Sequence, residues 1–93
     1  MKLHWIYPKD PQSDWYSPNE PHRVAILAEL WNAETGTRAA IITRSNEWPD
    51  TDYLITVLKG RDSDERIKRD SIKLSGSFTE AQTTAIALFQ LNN

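Results

Sequence analysis

Ninety-three residues make one domain near the small end of the usual range, with room for a single core under a small sheet and no deep interdomain cleft. With 39% hydrophobic and 26% charged residues the composition is that of a globular chain, and zero cysteines exclude disulfide staples and thiolate chemistry. The formal net charge of −2 is far from that of a DNA-coating protein or a DNA-mimicking acid, and neither half of the chain is a charged tail: residues 1–60 hold six Lys/Arg and eight Asp/Glu, and residues 61–93 five of each.

Residues 1–21 read as an N-terminal arm rich in aromatics and prolines. Within it Leu3, Trp5 and Tyr7 alternate with His4 and Ile6, which is the strand period. Pro8, Pro11, Pro18 and Pro21 then punctuate a loop, because proline fixes φ and cannot donate to a ladder. The apolar start is too short and too polar for a signal peptide, and no window reaches the length of a membrane span. Together with the missing cysteines, this predicts a cytoplasmic protein.

A β-meander is predicted over residues 22–75. Its first segment, His22 to Trp31, admits two readings. Ser17-Pro18-Asn19-Glu20 has the form of a capping box with proline at the first helical position, which would start a helix through residues 18–34. Against this, Trp31-Asn32-Ala33-Glu34-Thr35-Gly36-Thr37-Arg38 has the form of a hairpin loop in which Asn opens a turn and Gly supplies the left-handed residue. The strand reading is preferred, with Val24, Ile26, Ala28 and Leu30 on one face. Thr37 to Arg44 is the return strand. Asp52 to Leu58, β-branched and apolar on both faces, is the interior strand. Arg66 to Leu74 is a fourth strand in which Ile67 is out of phase with Ile72 and Leu74, so a bulge near Asp70-Ser71 is expected. Residues 78–91 hold a helix: Thr79-Glu80-Ala81-Gln82 fits a cap, and Ala81, Ala85, Leu88 and Phe89 share a face. The predicted class is α+β, about four antiparallel strands packed by one C-terminal helix.

The alternative order of helix, three strands and helix resembles double-stranded-RNA-binding domains over most of the chain after residue 17. The position where those domains carry clustered lysines reads Ser77-Phe78-Thr79-Glu80-Ala81-Gln82, and no family is assigned.

No catalytic spacing stands out. His4 and His22 lie at element edges, and neither a G-x-S-x-G nor an S-x-x-K motif occurs. Asp50-x-Asp52 and Asp62-x-Asp64 come nearest to a cation loop but lack its central glycine and late glutamate. Gly36, Gly60 and Gly76 are dispersed among turns and form no phosphate cradle. No enzyme, cofactor or metal is predicted.

Two features carry functional expectations. Trp5, Tyr7, Trp15 and Tyr16, set among prolines, could complete the core or form a partner-binding surface that Trp48, and less directly Trp31, would extend. Arg61, Arg66, Lys68, Arg69 and Lys73, which Arg38, Arg44 and Lys59 could join, could form a ridge for nucleic-acid phosphates, but Asp62, Asp64, Glu65 and Asp70 stand among them and cancel much of the field. The leading expectation is a non-enzymatic protein-binding domain, of the kind common among phage and mobile-element accessory proteins that plug a host complex such as a defence nuclease. Nucleic-acid binding is the alternative. Monomer and homodimer both remain open, since the fourth strand could pair with its own copy across a twofold axis while its charges point to solvent.

Overall fold

The computed structural model describes residues 2–8, 24–45, 47–59 and 68–91. Five strands, β1 (Leu3–Ile6), β2 (Val24–Asn32), β3 (Thr37–Ser45), β4 (Asp52–Lys59) and β5 (Lys68–Ser75), precede one helix, α1 (Phe78–Leu91). The strands form a single antiparallel sheet in sequential order, β1-β2-β3-β4-β5. This is the expected α+β meander with one strand more. The alternating Leu3-His4-Trp5-Ile6 segment joins the sheet by pairing with the outer side of β2, from Leu3 opposite Asn32 to Ile6 opposite Glu29. With β1 in place the middle strand is β3, and β4 lies between β3 and β5.

The strand reading of residues 24–32 holds, and the helical alternative does not. The hairpin that follows shows why. Asn32 Oδ1 accepts the Glu34 amide at 3.0 Å, the Asn32 carbonyl accepts the Gly36 amide at 2.9 Å, and Gly36 sits at φ 68°. That left-handed conformation costs a Cβ-bearing residue free energy that glycine does not incur.

Two irregularities modify the predicted faces. Ile26 stands opposite Thr43 and Ala28 opposite Ile42, so Leu27 is an extra residue in β2; Ala39 is likewise extra in β3, between Leu30↔Ala40 and Trp31↔Arg38. An inserted residue shifts the alternation by one. Ile26 therefore leaves the face shared by Ala28 and Leu30, contrary to the simple period, and Leu27 packs toward the core instead. In β5 the correction runs the other way. Its pairing with β4 is unbroken from Asp52↔Ser75 to Lys59↔Lys68, so the bulge expected near Asp70-Ser71 is absent. Leu74 is the partly buried apolar residue of this edge strand, and Ile67, whose phase prompted the expectation, lies outside the described residues.

The core sits between the sheet and α1. Ala28, Leu30, Ala40, Ile42, Ile55 and Val57 are almost fully buried there, beneath Ala81, Ala85 and Phe89 of the helix. The spacing i, i+4, i+8 puts these three on one stripe. The two alanines let the helix approach β3 and β4 closely, and Phe89 fills the space beyond. Each buried Leu or Ile contributes about 1.5–3 kcal/mol. The other face is also partly closed, with Ile41, Thr43, Thr56 and Leu58 buried. The helix has the expected bounds, but its cap is Ser77 and not Thr79: Ser77 Oγ accepts the Glu80 amide at 3.1 Å. A Cβ on Gly76 would meet only the Glu80 carboxylate, the movable end of an exposed side chain, so space alone does not demand glycine at this joint. No helix among the described residues is long and apolar enough to cross a membrane.

Candidate interaction surface

The antiparallel order gathers one set of chain segments at one end of the sheet. Strand β1 runs toward the start of β2, and the β3–β4 loop, the start of β4, the end of β5 and the N-terminus of α1 meet there. Tyr7 leaves β1 at this end on the helix side. It is 57% exposed but held in place: Gln82 Nε2 donates to its hydroxyl at 2.9 Å, and its ring lies 6.4 Å from that of Phe78. Phe78 in turn stands 6.0 Å from the buried Tyr53. Both separations are those of attractive tilted ring pairs. The line ends at Arg44, whose guanidinium carbon lies 4.5 Å from the Tyr53 ring centroid.

Arg44 also fastens the β3–β4 loop. Its Nε donates to the Asp52 carbonyl at 3.1 Å and its Nη2 to the Asp50 carbonyl at 2.6 Å. Backbone bonds add to this: Trp48 N–H to Ser45 at 3.0 Å, Asp52 N–H to Pro49 at 3.0 Å, and Gly76 N–H to Thr51 at 2.8 Å. The last of these ties the loop to the joint before the helix.

On the face away from the helix the same end carries a polar array. Asp52 Oδ1 accepts from Ser75 Oγ at 2.7 Å and from Thr51 Oγ1 at 3.4 Å, and its Oδ2 lies 3.4 Å from Lys73 Nζ. The Ser75 hydroxyl, more than Lys73 or Thr51, holds the Asp52 carboxyl below the usual carboxylate range, against an opposing effect of desolvation. Lys73 Nζ also sits 4.6 Å from the Trp48 ring centroid, bracing a half-buried indole over β5. Thr56 and Ser71 share a hydroxyl–hydroxyl bond of 2.9 Å farther along.

Of the aromatic residues singled out in the sequence, Tyr7 and Trp48 thus lie at one end of the sheet on opposite faces. Trp5 is half-buried against the core opposite Leu30. Trp31 does not extend the surface: it sits within β2 between His4 and Arg38, with its indole Nε1 buried and without a hydrogen-bond partner among the described residues. Trp15 and Tyr16 lie outside the described residues.

The basic ridge is only partly described. Arg61 and Arg66 fall outside the described residues, and Lys68 and Arg69 are placed by backbone alone, opposite Lys59 and Leu58. Lys73 is committed to Asp52 and Trp48, Arg38 bonds Glu29 at 2.8 Å, and Arg44 is held by carbonyls. The Asp50-x-Asp52 pair is divided in use: Asp50 offers its carbonyl to Arg44, while the Asp52 carboxylate is occupied by Ser75 and Lys73. Among the described residues no three His, Cys, Asp or Glu side chains converge. His4 is exposed on β1, and His22 lies outside the described residues.

Sequence reasoning missed the Asp52–Ser75–Lys73 array and the Arg44 latch. The array joins residues up to 23 apart that only the β4–β5 register brings together, and the latch depends on how the β3–β4 loop folds back on Arg44. No protein-family profile, curated protein sequence or solved structure matches the chain.

Proposed function

We infer that the protein is a non-catalytic binding domain that engages a protein partner through the aromatic end of its sheet. The observation that carries this reading is Tyr7: a tyrosine 57% exposed, yet fixed by Gln82 and Phe78. An exposed aromatic that is already immobilised loses little conformational freedom on binding, and Tyr and Trp dominate the energetics of interfaces. Trp48, braced by Lys73 on the other face, widens the same end. Trp15 and Tyr16 belong to this proposal through their sequence alone. Small size, acidic balance and lack of cysteine further support the finer reading, a phage or mobile-element inhibitor that blocks a host complex in the cytoplasm. The nucleic-acid alternative draws less support, because Arg38, Arg44 and Lys73 are each engaged within the protein.

The test is affinity capture from host lysate with the wild-type chain beside Tyr7→Ala and Trp48→Ala variants, each also melted by circular dichroism. A specific protein retained by wild type and released by both variants, whose melting temperatures stay within a few degrees, supports the reading. Folding lost in proportion to binding would assign these rings to the core. Recovery of nucleic acid in a salt-sensitive manner would favour the alternative.

A further inference from the structure

The two edges of the sheet differ in what they leave open. Among the described residues β5 has no partner on its outer side, and its eight residues run without a bulge or a proline. Ser71, Lys73 and Ser75 are exposed, and Ile72 is an apolar side chain 40% exposed on the helix side. The helix lies chiefly over β3 and β4. Lysines commonly guard such an edge. Here Lys73 stays exposed, but its Nζ is drawn back over the sheet toward Asp52 Oδ2 and the Trp48 ring instead of projecting from the edge.

We propose that a second copy of this chain docks along β5, pairing antiparallel across a twofold axis at Ile72 to make a continuous ten-stranded sheet (five from each copy). The pleat and the charges select this register. With both helices on one side of the joined sheet, facing residues must share a face, so the two residue numbers in each pair must sum to an even value. Centring the pair on Asp70 sets Asp70 against its copy, and centring on Lys73 sets lysine against lysine. Centring on Ser71 sets Arg69 against Lys73 twice. Each of these places like charges directly opposite, which is destabilising. Centring on Ile72 sets Ser71 against Lys73, Asp70 against Leu74 and Arg69 against Ser75, with no like-charge pair, and pairs residues 69–75, whereas centring on Leu74 avoids like charges but pairs only residues 73–75. It also joins the two half-exposed isoleucines. This surface does not depend on the aromatic end.

A single strand pair falls short of the roughly 1,200 Å² of a standard stable interface, so the dimer is weak and forms at high protein concentration. Sedimentation from about 10 µM to about 1 mM should show the mass rising from 10.7 kDa toward twice that, whereas Ile72→Lys, which sets lysine against lysine, should stay monomeric at an unchanged melting temperature. The cysteine-free background permits a sharper reading. Ile72→Cys should couple to its own copy through oxidation by glutathione disulfide at least ten times faster than Ser71→Cys, since directly opposed residues have the Cα spacing a disulfide requires (roughly 4.4–6.8 Å). A monomer at all concentrations would overturn the proposal. So would coupling at Ser71 as fast as at Ile72.

Discussion

The two edge strands solve the same problem by different means. β1 has four residues and is fastened by apolar burial, with Leu3 and Trp5 packed against the core. β5 has eight residues and is fastened chiefly by polar ties, Ser75 and Lys73 to Asp52 and Ser71 to Thr56, with Leu74 its packed apolar residue. A short edge presents few open backbone groups and can be apolar. A long edge must stay soluble, and its face away from the helix is therefore polar and its attachment largely electrostatic. An edge held by polar groups is also one whose strength responds to pH, whereas burial of Trp5 does not.

The largest expected effect breaks the apolar edge. Trp5→Ala should cost about 2–4 kcal/mol in urea denaturation, while Ile72→Ala at the opposite edge should change stability by no more than about 0.5 kcal/mol. Comparable losses at both sites would mean that the edges are not fastened differently. Next is the joint that ends β5. Ser77→Ala should cost about 1 kcal/mol by leaving the Glu80 amide without its acceptor, and Thr79→Ala only a few tenths. An equal or larger loss at Thr79 would place the helix cap where the sequence pattern put it. The smallest effect is the pH response of the polar edge. Because its folded carboxyl is depressed, ionised Asp52 stabilises the fold fully above the ordinary carboxylate pKa of about 3.9, and that contribution is lost as pH falls through the depressed value. The stability difference between wild type and Asp52→Asn should be constant from about pH 5 to 8 and shrink as pH falls through the depressed carboxyl value. A difference that persists undiminished at the acidic end would detach it from the Asp52 charge.

The elements were legible where local chemistry decides them. The Asn32–Gly36 turn, the alternation of Leu3, Trp5 and Tyr7, and the Ala81–Ala85–Phe89 stripe each state their structure within a few residues. Three things were not legible. That β1 adds to the sheet depends on a pairing with residues more than 20 positions away. The bulges at Leu27 and Ala39 are properties of register between strands, not of either strand alone. The helix cap was misplaced because Ser77-Phe78-Thr79-Glu80 and Thr79-Glu80-Ala81-Gln82 both satisfy the same capping pattern, and only the Ser77–Glu80 bond distinguishes them. At the candidate surface the aromatic residues could be named from sequence, but their division between core (Trp5) and exposed end (Tyr7) could not.

Amide hydrogen exchange on the wild-type protein at about 10 µM and about 1 mM compares the two edges within one molecule and needs no mutation. Amides of residues 68–75 should exchange several-fold more slowly at the higher concentration, while those of residues 3–6 should be unchanged. Protection that is the same at both concentrations in β5, or that rises equally in β1, would contradict the pairing of β5 with its own copy.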